Sequence, residues 1–285
     1  MNLRPWLAGA VSVAAVMLGF GTAASASTTA AHHAVTSHIK PLRVARNIHV
    51  PRTVLPHLQP EQEVKNADWS GYAAVADKAV ALRYVTADFN VPSVNCAASP
   101  AGSAGTYEGQ WVGLDGYNTR TVEQTGIAGY CTSGVPAYYA WYEMYPAAPV
   151  AFTGSINPGD AIRASVYYNA STKQYDIALT DVTTQQGLNV NVACQATSCK
   201  NASAEAISEV PGGGPSNGYT LADYGMENFT GGAVTSRSGL RGGFGKSSLW
   251  TSSEVAIVDG SGLLMSQPSS LYGGAAFNDT WLAGD

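Results

Sequence analysis

The 285-residue length and the composition of this chain favour one or two β-rich domains. Glycine (31 residues) and tyrosine (15) are abundant, but only 12% of the residues are charged, so the chain lacks the charged residues that long amphipathic helices expose to water. The formal net charge is −5, and all 20 acidic residues follow residue 60. An acidic body of this kind argues against nucleic acid as a partner.

The first residues predict export. Arg4 is followed by an apolar run over residues 7–20 and by the small residues Ala24-Ser25-Ala26, which match a signal-peptidase site. The alternative is a membrane anchor, but the run is shorter than the roughly 20 residues that a membrane span needs. We therefore predict a signal peptide at 1–26 and a secreted, extracellular protein that leaves the membrane once the signal is removed.

Residues 27–64 are predicted to be a basic pro-segment. Up to Pro60 this stretch contains four basic residues and no acid, and four prolines interrupt any regular element. One interpretation is a cationic inhibitor that covers an acidic cleft until it is removed. The other is a disordered secretion linker. The opposite charge of the following body, residues 65–285, favours the inhibitor.

The four cysteines are expected to form disulfides because the protein is exported. Cys194 and Cys199 enclose a short loop, which would leave Cys96 to pair with Cys131. Four cysteines allow three connectivities, so this pairing is one choice among three. A zinc site is the alternative, but the spacing offers no second close cysteine pair and no nearby histidine.

The body reads as a series of short strands separated by turn sequences such as 157–160 and 259–262. Strands at regular spacing without helices between them predict an all-β fold, a two-sheet antiparallel β-sandwich of the jelly-roll or concanavalin-like type. The predicted strands are 68–76, 80–92, two within 107–130, 137–146, 150–156, 161–168, 174–182, 186–193, 202–209, 219–224, 226–236, 249–258 and 262–266.

The residue types after residue 60 limit the possible chemistry. This part contains no histidine, which excludes a Ser-His-Asp triad, a Cys-His dyad and a histidine-ligated zinc site. The glycine-rich stretch 211–218 reads as a turn and not as a phosphate-binding loop. Carboxylates assisted by amides and tyrosines remain for acid–base work, and we expect no cofactor and no metal.

Alternation along the strands groups several polar residues with aromatic ones. Glu143 shares a face with Trp141, Asp115 shares one with Trp111, and Glu205 shares one with Glu209. An unpaired buried charge is costly, so these carboxylates are either cleft residues or hydrogen-bonded structural ones.

Five motifs now point to a known family. They are 69–72 (WSGY), 111–116 (WVGLDG), 124–126 (QTG), 140–146 (AWYEMYP) and 204–209 (AEAISE). In this order they resemble the glutamic peptidases, or eqolisins, over about residues 68–285. The resemblance implies a secreted, acid-acting endopeptidase with a two-sheet β-sandwich, acting on proteins or peptides and inhibited by its own pro-segment. We expect a monomer.

The resemblance also implies the catalytic pair. The glutamine of the QTG motif is Gln124 and the first glutamate of the last motif is Glu205. In the family mechanism the ionised glutamate takes a proton from a water that attacks the peptide carbonyl, without an acyl-enzyme, and the glutamine amide assists. Between its two glutamates the last motif is less apolar than is usual in the family, so Glu209 is the fallback. Asp68 stands where the family usually has asparagine.

Four further residues are candidates for substrate binding or support of the site, namely Trp69, Trp111, Asp115 and Glu143. Asp115 is as easily a structural residue, either in a turn, because Asp-Gly is common in hairpins, or as a hydrogen-bond anchor. The tryptophans are as easily core residues. Two alternative functions remain: a β-sandwich glycosidase that uses two carboxylates such as Glu143 and Glu205, and a carbohydrate-binding protein. Neither explains the QTG motif.

Overall fold

The computed structural model describes residues 40–41, 64–102, 104–211, 214 and 217–284. The signal peptide and most of the pro-segment lie outside the described residues, so both stay predictions. Within the described part of the chain no helix has the length and apolarity that crossing a membrane requires. The described residues form eighteen β-strands: β1 (Lys40–Pro41), β2 (Val64–Asn66), β3 (Trp69–Ala76), β4 (Leu82–Asn90), β5 (Gly105–Leu114), β6 (Val122–Thr132), β7 (Val135–Tyr145), β8 (Val150–Ala151), β9 (Ala161–Asn169), β10 (Gln174–Asp181), β11 (Gln186–Ala193), β12 (Ser203–Glu209), β13 (Tyr219–Leu221), β14 (Met226–Ser236), β15 (Arg241–Gly242), β16 (Trp250–Val258), β17 (Leu264–Pro268) and β18 (Phe277–Trp281).

The strands form two layers. The large sheet has the order β8-β7-β6-β5-β12-β3-β16-β2, in which every pair is antiparallel except the parallel pair β16-β2. The end of β16 also pairs antiparallel with β17, on the side of β3, and β17 pairs antiparallel with β18. The small sheet has the order β11-β10-β9-β4-β14-β15 and is also antiparallel. Strand β14 joins the layers, because its first half pairs with β18 and its second half with β4. The predicted all-β, two-sheet antiparallel sandwich is confirmed.

The core lies between the layers and follows from alternation along the strands. In β10 every second side chain is buried (Tyr175, Ile177 and Leu179), and these residues pack with Val112 and Leu114 from β5 of the large sheet. Burying a side chain of this size contributes about 1.5–3 kcal/mol, so the apolar half of each strand fixes which face turns inward. The other face of β5 is thereby turned away from the core, and it carries the candidate site.

Three predicted strands differ from the structure. Segment 150–156 forms only the two-residue β8, because Phe152 and Ile156 leave the sheet and turn into the core. Segment 219–224 is shortened to Tyr219–Leu221, and Asp223 instead accepts a backbone hydrogen bond from Asn95. The last predicted strand is shifted and covers Leu264–Pro268.

The disulfide pairing is confirmed. Cys96 bonds Cys131, which ties the loop after β4 to the end of β6, and Cys194 bonds Cys199 in the loop after β11. The first bridge spans 35 residues and restricts the unfolded chain more than the second, which spans 5.

Candidate active site

The centre of the candidate site is a row of four positions across neighbouring strands. Glu205 on β12 lies opposite Gly113 on β5, which lies opposite Gln124 on β6, which in turn lies opposite Glu143 on β7. Directly opposed residues of antiparallel strands point to the same side of the sheet. The register therefore gathers Gln124, Glu143 and Glu205 on the face that points away from the sandwich core.

Gly113 separates the two predicted catalytic side chains. Strands lie about 4.8 Å apart, so the backbones of β12 and β6 are about 10 Å from each other across β5. A Cβ atom at Gly113 would come within 3.1 Å of the Cβ of Gln124 and within 3.0 Å of the Trp111 ring. The missing side chain therefore lets Gln124 and the Trp111 ring lie close over the backbone of β5, on the face that Gln124 shares with Glu205.

The next row explains the spacing of the sequence motifs. Here Ile207, Trp111, Gly126 and Trp141 lie opposite one another. A Cβ at Gly126 would approach the Cβ of Trp111 to 2.6 Å, so the glycine makes room for the indole. In the first row the order is reversed, with the glycine on β5 and the long side chain on β6. The W-x-G and Q-T-G motifs are thus complementary halves of one surface.

Gln124 is held by Glu143. The amide Nε2 of Gln124 donates a hydrogen bond of 2.6 Å to Oε2 of Glu143, whereas Oε1 of Gln124 has no hydrogen-bond partner among the described residues. A glutamine amide has two N–H donors and one acceptor oxygen. Glu143 occupies one donor, so the second N–H and the oxygen remain for other groups. Burial raises the pKa of Glu143 to about 7, against a smaller lowering by the Gln124 amide.

Glu205 is fully buried. Burial raises the pKa of its carboxyl well above the usual 4.5, and the charges of Asp115 and Glu123 act in the same direction. No described residue offers Glu205 a donor in good hydrogen-bond geometry, although the Ser203 hydroxyl and the Tyr117 backbone are close enough to oppose part of the shift. Such a carboxyl has a strong tendency to take up a proton.

Glu209 stands in a different row from Gln124. It lies opposite Gly109, and Gly109 lies opposite Ala128, four residues along β6 from Gln124. Its Oε2 accepts a hydrogen bond of 2.7 Å from the indole Nε1 of Trp111, and burial raises its pKa to about 8. The register therefore favours Glu205 over Glu209 as the partner of Gln124.

Trp69 and Trp111 form an aromatic wall beside the row. Their rings meet edge to face with centroids 4.9 Å apart. Trp111 is fully buried, whereas Trp69 is only half-buried. Trp111 thus holds Glu209 by a hydrogen bond from a buried position. Part of the Trp69 side chain remains exposed beside it.

Asp115 anchors backbone and does not belong to the row. Its carboxylate accepts hydrogen bonds of 2.7 Å from the amides of Asn201 and Ala202, just before β12. It adopts a left-handed φ of 66° at the end of β5, and the loop from there to β6 spans residues 115–121. Asp115 is thus a buried anchor in a seven-residue loop and not part of a two-residue hairpin.

Half-buried tyrosines continue the same face away from the row. Tyr107 stacks on Tyr130 at 5.5 Å, and Tyr219 and Tyr139 pack edge to face on either side of this pair. Tyr130 is six residues along β6 from Gln124, which corresponds to about 20 Å in a strand. We call these four residues the tyrosine ladder.

Gly113 and Glu123 are not among the site residues predicted from the sequence. The signal for Gly113 was a glycine inside a strand, which often marks a close approach of other groups. The signal for Glu123 was an acid whose neighbours in the register, Leu114 and Met144, are both apolar core residues. The part of the chain that is described contains no group of three or more acidic, cysteine or histidine side chains arranged to hold a metal ion.

One family model and two known sequences match parts of this chain. The sequence model of the Peptidase A4 family matches residues 67–261. Scytalidopepsin B of Scytalidium lignicola is 32% identical over 132 residues, which are 46% of this chain and 46% of that protein. Aspergillopepsin-2 of Aspergillus niger is 30% identical over 193 residues, which are 61% of this chain and 66% of that protein. The chain thus spans less than two thirds of the length of both relatives.

Solved structures show the same fold. Scytalido-glutamic peptidase, in complex with a transition-state analogue inhibitor, superposes with a TM-score of 0.58 at 22% identity, covering 76% of this chain and 98% of that one. Aspergilloglutamic peptidase from Aspergillus niger gives a TM-score of 0.52 at 26% identity, covering 62% of this chain and 99% of that one. The similarity covers the body and both layers of the sandwich follow the fold of these proteins.

Proposed function

This chain belongs to the Peptidase A4 family, the glutamic peptidases or eqolisins, and from this premise we propose that it is an endopeptidase in which Gln124 and Glu205 activate a water. The motif resemblance found in the sequence is confirmed at the level of the family. The observation that carries the proposal is the row in which Glu205 and Gln124 lie on either side of Gly113 and on the same face of the sheet.

Glu205 is the proposed general base and then the general acid. Its carboxylate accepts a proton from a water bound between Glu205 and Gln124, while the water oxygen bonds to the peptide carbonyl carbon. The carbonyl π electrons move to oxygen, which gives a tetrahedral oxyanion. Protonated Glu205 next gives its proton to the peptide nitrogen, the C–N bond breaks, and a carboxylic acid and an amine leave.

Gln124 is the proposed partner in both steps. Its Oε1 can accept a hydrogen bond from the attacking water, and its second N–H can donate to the developing oxyanion. The bond to Glu143 holds the amide in the orientation that these two contacts need. A neutral amide keeps its donors in acid, where an imidazole would be fully charged and could not act as a base.

The environment of Glu205 supports action in weak acid. Its pKa is raised well above 4.5 by burial, so only a minor fraction is ionised in strong acid. Each pH unit below that pKa lowers the ionised fraction about tenfold. We therefore expect kcat/KM to rise with pH on the acid side of its optimum.

An extended peptide is the proposed substrate, lying along the strands from the row towards the tyrosine ladder. Trp69 and Trp141 border the row, and the tyrosine ladder provides apolar contacts further along. The distance of about 20 Å from Gln124 to Tyr130 corresponds to about six extended residues. In the related structures, scytalido-glutamic peptidase is bound to a peptide-based transition-state analogue and SCP-B to the tripeptide Ala-Ile-His.

We also propose that the protein is exported and that its basic pro-segment inhibits it. The two disulfides suit an oxidising compartment. Lys40–Pro41 pairs with β8, which in turn pairs with Trp141 and Tyr142 of β7, so part of the pro-segment reaches the sheet edge beside Glu143. This pairing and the opposite charges of the two parts support inhibition in cis.

The test is peptide hydrolysis by the protein made from residue 27 onward and processed in acid. Gln124→Ala and Glu205→Gln are each expected to lower kcat about 100-fold or more, because each removes a group acting only in the transition state. Cleavage of casein or a fluorogenic peptide is followed by chromatography and mass spectrometry, with folding checked by circular dichroism.

The matched control is Glu209→Gln. Its amide carbonyl can still accept the hydrogen bond from Trp111, and Glu209 lies outside the row. We expect kcat to change less than about tenfold. A folded wild-type protein that cleaves no peptide between pH 2 and 7 would contradict the proposed function. Loss of activity in Glu209→Gln with activity retained in Glu205→Gln would reassign the base.

A further inference from the structure

Glu123 is a buried carboxyl that the proposed mechanism does not use. It follows Val122 at the start of β6 and points to the opposite face of the strand from Gln124, between Leu114 and Met144. The residue is fully buried, and no described donor meets either of its oxygens in good hydrogen-bond geometry. A bare charge in such a place is too costly to persist, so this carboxyl keeps its proton over a wide pH range. Consistently, burial raises the pKa of Glu123 well above 4.5, with the charge of Asp115 as the next cause.

The proton of Glu123 has an obvious acceptor. The side chain of Asp115 is a neighbour of Glu123, because Thr121, two residues before Glu123, donates a 3.4 Å hydrogen bond to Oδ2 of Asp115. The charge of Asp115 is also a cause of the raised pKa of Glu123. Two neighbouring carboxyl groups do not both ionise, and the one that keeps the proton can donate it to the other. Each oxygen of Asp115 already accepts a hydrogen bond from a backbone amide, so Asp115 acts as the acceptor of its contacts. The proton therefore belongs on Glu123.

Asp115 connects this pair to the catalytic strand. Its carboxylate holds the amides of Asn201 and Ala202, and its own amide donates a 3.0 Å hydrogen bond to the carbonyl of Ser203. Glu205 is the third residue of the strand that begins at Ser203. The hydroxyl of Tyr175 donates a 2.6 Å hydrogen bond to Oδ1 of Asn201. We call this bond, together with the contacts between Asp115 and residues 201–203, the clamp.

We propose that Glu123 is a positioning residue for the peptidase reaction: its protonated carboxyl donates to Asp115, and Asp115 holds the start of β12 so that Glu205 faces Gln124. The inference rests on the proposed function. Ionisation of Glu123 places a second negative charge against Asp115 and weakens the clamp. The titratable groups that face Glu123 are Asp115 at the end of β5, Tyr175 on β10 and, within electrostatic range, Glu205 on β12.

Two variants at position 123 separate the effect of a hydrogen-bond donor from the effect of the side-chain volume. Glu123→Gln supplies a permanent N–H donor that never ionises. Glu123→Leu fills the same space without a donor and adds no polar group to the core, so it is expected to fold. The readouts are kcat and KM for one fluorogenic peptide from pH 3 to 8, and the thermal unfolding temperature at each pH.

The glutamine variant is expected to keep kcat within about threefold of wild type at low pH. Its alkaline limb, the part of the pH profile in which kcat falls as the pH rises, is expected to lie about one pH unit higher, since the Glu123 carboxyl that ionises is gone. The leucine variant is expected to lower kcat about tenfold or more throughout, with KM changed less than about threefold. Only the pH range in which each protein stays folded is compared. A merely structural role would alter stability without moving the limb.

Glu108→Gln is the matched control, because Glu108 is another fully buried carboxyl of the large sheet but is not in contact with Asp115. It should leave the alkaline limb of kcat in place. The inference is overturned if wild type is active and the Glu123→Gln profile superimposes on it, or if Glu123→Leu keeps full kcat. A folded but inactive wild type overturns the proposed function, and this inference with it.

Discussion

In the proposed mechanism, the contact between Gln124 and Glu143 determines which end of the glutamine amide is available for chemistry. Glu143→Leu removes the acceptor of the 2.6 Å hydrogen bond, so the amide can turn and present the wrong atom to the water. We expect kcat to fall about tenfold to thirtyfold, which corresponds to the loss of one hydrogen bond of about 1.5–2 kcal/mol. KM should change little, because the contact orients a reacting group and binds no substrate. Steady-state kinetics with a single peptide measures both.

The conservative variant at the same position is the control. Glu143→Gln keeps a carbonyl oxygen that can accept from Gln124, so it should restore most of the activity lost in Glu143→Leu and stay within about threefold of wild type. If the leucine variant is as active as the glutamine variant, Glu143 does not orient Gln124.

At the scale of strands, Gly113 is the position between Gln124 and Glu205 at which a side chain would be crowded. Gly113→Ala would place a methyl group 3.1 Å from the Cβ of Gln124 and 3.0 Å from the Trp111 ring. These contacts are tighter than van der Waals separation, so the methyl group would displace Gln124 or the Trp111 ring and disturb the proposed pairing of Gln124 with Glu205. We expect kcat/KM to fall about 100-fold, with a loss of stability of about 1–3 kcal/mol.

Gly260→Ala serves as the control for the glycine substitution. A Cβ at that position meets no atom within 4 Å, so activity and stability should both match wild type. Kinetics and urea unfolding of the two variants side by side test the idea. Equal activity of Gly113→Ala and wild type would show that the reaction does not occur beside Gly113, between Gln124 and Glu205.

The strands show how far the sequence alone could go. Alternation and turn residues were sufficient to predict β10, because its apolar residues recur at every second position. The same alternation assigned Glu205 and Glu209 to one face. It could not choose between them, because the choice depends on the register of β12 against β5, a pairing of residues some ninety positions apart. For the same reason the sequence could not choose between an anchor and a site residue for Asp115, since the amides that donate to it, at 201 and 202, are distant in sequence.

At the scale of the whole molecule, the space between the layers is apolar at one end and polar at the other. Ser70, Ser266 and Asp279 are hydrogen-bonded there, and Glu108 and Glu227 are buried in the same region. Burial raises the pKa of Glu108 to about 8, that of Glu227 to about 7 and that of Asp279 to about 6. In each of these three groups, the folded protein favours the protonated, uncharged form.

This arrangement predicts a protein that is most stable in acid. In the unfolded chain these carboxyls return to pKa values of about 4, so the folded state binds protons more tightly than the unfolded state. Their contribution to stability is therefore complete below about pH 4, decreases progressively above that pH, and is lost once the pH has passed through 6–8. The thermal unfolding temperature of the processed body, measured from pH 3 to 9, should be highest near the acid end and fall across that window.

Glu108→Gln tests the cause of this pH dependence. The amide does not ionise, so the variant should lose less stability than wild type between about pH 4 and 8, while the two proteins should show the same trend below about pH 4. Scanning calorimetry at matched ionic strength separates the effect of Glu108 from that of surface charge. An unfolding temperature that stays level or rises from pH 4 to 8 in the wild type would contradict the prediction. A variant curve parallel to the wild-type curve would assign the loss to the other buried carboxyls.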